Sequence, residues 1–294
     1  MILIGENLNV ISQTLGPALK ERNAAPIQEM AEAETEAGID LIDLNIGPAR
    51  KGGDELMAWV VNTVQAVTDK MLSLDTTNLD AMGAGLKARQ GKGKVLMNSV
   101  SLQTSRVDRG LAMAQQYNAD LIGLLWSNDG MPRDVNERAM HTVDFIYKAN
   151  TAGIPNERIW IDPIASPVSV EINQVKACVE FMTMLGEIAP GCKSTVGLSN
   201  VSNGAPAELR CWLNRTYMIM LMRYGLYSAI VDAFDTDLKA IARGQRPDIV
   251  ELVHKMMDGE KPDIASLPKE MANYARTVRV LKGESLYSHS WLEV

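Results

Sequence analysis

The chain is poor in the residues that most often carry chemistry alone. Its 294 residues include three cysteines and three histidines. Cys178, Cys192 and Cys211 show no metal or redox spacing, and an odd set of three fits free thiols in a reducing cytoplasm. His141 falls mid-helix by pattern, His254 in a charged, proline-containing stretch and His289 near the C-terminus. Neither a His-based triad nor a zinc cluster has support, and no protein-bound metal is expected. No G-x-G-x-x-G follows a strand-like run and no P-loop occurs, which removes the usual nucleotide cradles. Lysine is missing from the ends of the strand-like runs, which disfavours Schiff-base chemistry. No apolar run approaches the roughly 18 residues of a membrane span. The chain opens directly on a strand-like run, so no signal peptide is expected. A net charge of −7 with no Lys/Arg cluster argues against non-specific nucleic-acid binding. Aromatics make up only 5%, whereas methionine reaches 17 residues, so deformable thioethers line much of the core.

What the chain does have is a repeated pattern. Short apolar runs end in a carboxylate or an amide: Ile2–Asn7 closes on Glu6 and Asn7, Leu41–Asn45 on Asn45, and Met71–Asp75 on Asp75. Val95–Asn98 closes on Asn98, Ile159–Asp162 on Asp162, Thr195–Asn200 on Asn200 and Ala229–Asp232 on Asp232. An eighth run, Asp120–Trp126, lacks the polar ending. The runs are spaced by about one strand-plus-helix unit each, roughly 30 residues. Eight such units make a (β/α)8 barrel, whose active site lies at the C-terminal ends of the strands. Asp and Asn also punctuate strand ends as turn formers, and any single ending could be that. Seven together point to a site. With 46% hydrophobic and 22% charged residues, residues 1–294 read as a single barrel domain.

Between the runs the pattern is helical. Asn23–Pro26 opens a helix that Gly38 closes, and helices follow at about 54–67, 79–88 and 107–117. Asp134 caps a long helix to Asn150, and another covers about 172–188. In strand 2, Leu41, Asp43 and Asn45 share one face, so two polar groups point into the barrel or its mouth. Leu209, Trp212, Leu213, Tyr217, Met220 and Tyr224 form a buried stripe rather than a cofactor wall. An irregular insertion is expected at about 239–267, before a closing helix at 269–281.

A mouth of Asp, Asn, Glu and Ser suits a flat, nitrogen-rich ring, because Asp accepts from ring N–H and amino groups while Asn both donates and accepts. Ile4–Asn9, Leu41–Pro48, Leu74–Asn78, Met97–Ser99, Ile161–Pro163 and Gly197–Ser202 resemble the motifs of methyltetrahydrofolate:corrinoid protein methyltransferases. Asn214–Thr216 and Ala229–Asp235 are similar too, and the likeness runs over nearly all of residues 1–238. The resemblance implies a pterin-binding barrel in which Asp75, Asn98 and Asp162 hold the pterin ring. Asn200 would then stand beside N5 as the catalytic amide, with Ser199, Gly197 and Arg210 near the folate. Glu6, Asp43 and Asn45 would extend the hydrogen-bond network at the mouth. It further implies tetrahydrofolate or methyltetrahydrofolate as substrate, a cobalamin supplied by a corrinoid protein partner, and a homodimer. No histidine stands in the Asp-x-His-x-x-Gly signature of corrinoid-binding domains, so the corrinoid is expected on another chain. Two rivals stay open. A dihydropteroate synthase would need a lysine after strand 7, where Ser199–Ser202 offers none. A non-catalytic folate binder would need no donor at N5.

Overall fold

The computed structural model describes residues 1–293 except Gln90 and Lys92. Eight strands alternate with helices: β1 (Ile2–Gly5), α1 (Leu15–Glu21), α2 (Ala24–Glu36), β2 (Leu41–Asn45), α3 (Gly53–Gln65), β3 (Met71–Asp75), α4 (Leu79–Arg89), β4 (Val95–Ser101), α5 (Val107–Gln116), β5 (Asp120–Leu124), α6 (Val135–Thr151), β6 (Ile159–Asp162), α7 (Ile172–Ile188), β7 (Lys193–Ser194), α8 (Ala207–Met222), β8 (Ser228–Val231), α9 (Thr236–Ala242), α10 (Pro247–Met257) and α11 (Lys269–Leu281). Every strand pair is parallel, in the order β7-β6-β5-β4-β3-β2-β1-β8. The ring closes beyond β7, where Gly197 bridges Ile230 and the Ile230 N–H donates to the Val196 carbonyl at 2.9 Å. This is the (β/α)8 barrel the strand rhythm predicts. No described helix is long and apolar enough to cross a membrane.

Pleat alternation sorts the core into two bodies. Leu3, Ile42, Leu72, Met97 and Ile161 point outward and join the helices in the large wall cluster. Ile4, Leu41, Leu96, Ile122 and Trp160 point inward and form a separate plug inside the barrel. Beneath the plug, Asp120 accepts from the Trp160 indole at 3.1 Å and from Lys193 at 3.2 Å. The polar residue of the eighth run thus stands at the start of its strand, at the end of the barrel away from the other acids.

Three local details differ from expectation. The Thr195–Asn200 run is not a strand to its end: β7 stops at Ser194, and Leu198–Ser202 winds into a 3-10 turn. A short helix, α1, precedes the expected α2. The 239–267 segment is not an irregular insertion. Pro247 occupies the first turn of α10, where its missing N–H leaves no bond unmade. Ile249, Val253 and Met256 then give α10 a buried face, packed on α8 and α11. On α8, Leu213, Tyr217 and Met220 are buried, which makes that stripe core.

Close packing between β5 and α6 yields a direct test. A Cβ added at Gly123 would stand 2.7, 2.9 and 3.0 Å from three carbons of the Phe145 ring. Gly123→Ala is therefore expected to cost about 1–3 kcal/mol. Combined with Phe145→Leu it should cost less than the two changes added together, which denaturant midpoints of the three variants will show.

Candidate active site

One pleat step above the plug the inward row becomes polar. Ile4 is followed by Glu6, Leu41 by Asp43 and Asn45, Met71 by Ser73 and Asp75, Leu96 by Asn98, and Trp160 by Asp162. Register sets these side by side, with Asp43 opposite Ser73, Asn45 opposite Asp75, and Asp75 opposite Asn98. At β4 the register against β5 slips between Met97 and Val100, an irregularity of the kind that re-aims side chains near functional sites. The predicted residues of strands 1, 2, 3, 4 and 6 thus converge on one mouth.

Hydrogen bonds join four of them. Asn98 Nδ2 donates to Asp43 Oδ1 at 3.1 Å, and Asn45 Nδ2 donates to Asp75 Oδ2. The Asn45 Oδ1 accepts the Gly47 N–H at 2.9 Å, which fixes the orientation of that amide. Asp43 and Asp75 also hydrogen-bond each other, and two carboxyls so placed do not both ionise. Burial raises both above the ordinary carboxylate range, and the charge of Asp43 pushes Asp75 further up. The pair therefore titrates as a unit and retains a proton towards neutral pH. Across the mouth, burial pushes Asp162 up to about 6, while the Ile164 N–H and the Arg138 guanidinium pull it down.

The 3-10 turn brings the remaining candidates over the edge. Ser199 donates to Glu6 Oε1, tying the turn to the end of β1. Ser202 Oγ donates to the Ser199 carbonyl at 3.1 Å and accepts from Arg210 Nε at 3.0 Å. Arg210, in the first turn of α8, also reaches the Ser199 carbonyl at 3.4 Å, so it braces the turn from behind. Asn200 is exposed, with its Nδ2 lying 3.0 Å from where a Cβ on Gly197 would stand. The missing side chain at Gly197 makes room for that amide. Burial pushes Glu6 up to about 7, with the Ser199 hydroxyl opposing the rise.

Sequence reasoning missed Glu34. It lies on α2 in the apolar stripe Ile27, Ala31, Glu34, a carboxylate where a hydrophobe is due, and that was the available signal. Its Oε1 accepts the Asn7 N–H at 2.9 Å, and its Oε2 has no partner among the described residues. Asn7 in turn donates to Asp232 at 2.9 Å and accepts from the Ala233 N–H at 2.9 Å, so Glu34 supports the ends of both β1 and β8. Burial, helped by the charges of Asp43, Asp232 and Glu6, pushes Glu34 up to about 8. Between the ordinary carboxylate value and about 8 the folded protein keeps a proton that the unfolded chain has released. Stability from this group is complete on the acid side and falls as pH rises through that window. Glu34→Gln, a neutral isostere, is expected to melt like the wild type near about pH 5 and at higher temperature near about pH 9. Thermal melts of both proteins at the two pH values check this, and equal destabilisation at both would contradict it.

Comparison with known proteins bears on the family and the fold. Residues 6–232 match the family described as pterin binding enzyme. A methylcorrinoid:tetrahydrofolate methyltransferase of Eubacterium limosum is 29% identical over 240 residues, covering 81% of this chain and 87% of that protein. A methionine synthase of Mycobacterium leprae is 24% identical over 267 residues, and the match covers 86% of this chain but only 22% of that much longer protein. Among solved structures, a Coxiella burnetii dihydropteroate synthase in complex with pteroic acid superposes with a TM-score of 0.61 at 18% identity, covering 83% of this chain and 93% of that one. The Xanthomonas albilineans dihydropteroate synthase with 4-aminobenzoic acid gives 0.60 at 21% identity, covering 83% and 93%. At such identities the structural likeness speaks for the fold alone. The family match spans most of the chain and includes every strand end that forms the mouth, so this protein belongs to the family of pterin-binding enzymes.

Proposed function

We propose that this enzyme moves a methyl group, in either direction, between N5 of methyltetrahydrofolate and the cobalt of a corrinoid carried by a partner protein. The observation that carries the reading is the mouth itself: two amides and three carboxyls, on strands 2, 3, 4 and 6, with the exposed amide of Asn200 at its edge. A pterin ring offers adjacent N–H and amino donors along one edge and acceptors on the other. Asp75, Asn98 and Asp162 bind that ring, with Asp43 and Asn45 keeping the first two in place. The Eubacterium limosum relative supports the reaction by its name, methylcorrinoid:tetrahydrofolate methyltransferase.

Methyl transfer breaks the N5–C bond, and N5 keeps the electron pair. The corrinoid, in its cobalt(I) state, supplies the nucleophile. This chain's task is to prevent full negative charge at N5, by a proton or by a hydrogen bond that strengthens as the bond breaks. Asn200 is the donor for that bond, held on a turn that Ser199, Ser202 and Arg210 brace. Glu6, with its value raised to about 7 and its oxygen on Ser199, is a proton-carrying group next to that turn.

The rival dihydropteroate synthase reading lacks its lysine. Lys193 lies at the start of β7, bound to Asp120 beneath the plug and away from the mouth. The partner reading has a surface to go with it. Ile11, Trp126, Val170 and Phe234 are exposed large apolar residues on loops that follow four different strands, β1, β5, β6 and β8. They form an apolar rim for the corrinoid protein. The homodimer belongs to the proposal on resemblance, and the exposed Met140, Val143 and Tyr147 of α6 offer a second apolar face for it. The same reading places the reaction in the cytoplasm.

Asn200→Ala is expected to lose about 2–4 kcal/mol of transition-state stabilisation while still binding folate. The decay of the cobalt(I) absorption band, on mixing cobalt(I) cobalamin with methyltetrahydrofolate and enzyme, measures it. Near-normal turnover in this variant would remove Asn200 from the mechanism. Val170→Glu and Ile11→Glu are expected to leave reaction with free cobalamin intact and to raise KM for the corrinoid protein about tenfold or more. Equal effects on both acceptors would place the partner elsewhere.

A further inference from the structure

Helix α6 carries an arginine on its apolar stripe, in line with Thr142, Phe145 and Ala149, and Arg138 is 0% exposed. Its guanidinium donates to three oxygens: the Pro163 carbonyl at 2.9 Å, the Gln174 side chain at 2.7 Å and the Asp134 carbonyl at 3.2 Å. All three acceptors are neutral, and among the described residues no carboxylate forms an ion pair with it. A buried cation with no carboxylate in direct contact is expensive, and this one lies directly behind the site, where Asp134 and Asp162 answer its charge only from a distance.

Its main contact follows Asp162 by one residue. Beyond Pro163, Ile164 takes φ +67°, a left-handed conformation that a β-branched residue adopts only when its surroundings force it. The Ile164 N–H donates to Asp162 Oδ1 at 2.8 Å. This turn therefore occupies one carboxylate oxygen and leaves Oδ2, without a partner among the described residues, for the mouth. Gln174 of α7 is fixed as well, since its Nε2 donates to the Arg133 carbonyl at 2.9 Å. Two helices thus hold the turn from outside the barrel.

We propose that Arg138 is the positioning residue for Asp162: from behind the wall it clamps the Pro163 carbonyl, holds the Ile164 turn, and so aims the free Asp162 oxygen at the pterin. The inference rests on the folate-binding reading above. The charge works in the same sense. Arg138 opposes the rise that burial imposes on Asp162; of the other groups that face the guanidinium, Asp134 at the start of α6 adds a second negative charge, whereas Cys178 of α7 and Tyr217 of α8 are kept neutral by burial. Arg138 thereby extends to lower pH the range in which Asp162 is an ionised acceptor.

Titration calorimetry of the full chain with 5-methyltetrahydrofolate, over about pH 5.5 to 8.5, tests this. Arg138→Gln is expected to weaken binding about tenfold at neutral pH. Its kcat at saturating folate should stay near wild type, and the acid limb of its binding profile should move to higher pH. Arg138→Lys should not rescue it, since an ammonium cannot span three acceptors as a planar fork does. Gln174→Glu keeps the acceptor for Arg138 and answers its charge, losing only the outer hydrogen bond to the Arg133 carbonyl, so it should still bind at high pH with its acid limb displaced upward. It also decides the matter alone if Arg138→Gln does not fold. Folded variants, judged by circular dichroism, that bind with wild-type affinity and an unmoved limb would overturn the role of Arg138 only. A wild-type protein that binds no folate would overturn the functional reading and this inference with it.

Discussion

A parallel strand turns every second side chain inward, and the molecule depends on where along each strand that inward row changes from apolar to polar. Here the change comes at nearly the same height on β1, β2, β3, β4 and β6. Below it, Ile4, Leu41, Leu96, Ile122 and Trp160 fill the barrel and exclude water. Above it stand Glu6, Asp43, Asp75, Asn98 and Asp162. Because all strands run the same way, one shift in residue type per strand suffices to build a polar site on an apolar floor.

That arrangement sets its own electrostatic problem. Carboxylates crowded over an apolar plug resist ionisation, and each is answered differently. Asp43 and Asp75 share a proton and take amide donors from Asn98 and Asn45. Glu6 takes the Ser199 hydroxyl. Asp162 takes a backbone N–H and the field of a buried guanidinium. Asp162, on the far side of the ring from the pair, is therefore the acid best supplied to stay ionised, and the Asp43–Asp75 pair the one best supplied to donate. A ring with donors on one edge and acceptors on another meets both kinds of group.

Much of this was legible in the chain because it is local. Strand-end polar residues and the strand-helix rhythm reveal Asp75, Asn98, Asn45 and Asp162, since period-two alternation is a property of a few consecutive residues. The helices at 172–188 and 269–281 are likewise readable from caps and apolar spacing. The 3-10 turn at Leu198–Ser202 was not, because Thr195–Asn200 reads as a strand, and only distant partners, Glu6 on Ser199 and Arg210 on Ser202 and the Ser199 carbonyl, hold it as a turn. Helix α10 was hidden for a related reason: Pro247 and the charges of the stretch look irregular until α8 and α11 cover Ile249, Val253 and Met256.

The amino-acid sequence by itself determined the architecture and which residues line the mouth, because alternation, capping and spacing act between near neighbours. Only the tertiary structure decided how those residues are charged and aimed. Glu34 and Arg138 sit on helix stripes where sequence periodicity calls for hydrophobes, and their roles arise from residues 27 and 25 positions away, Asn7 and Pro163. Burial, the strength of a charge and the direction of a hydrogen bond depend on neighbours that folding brings together, and no local pattern encodes them.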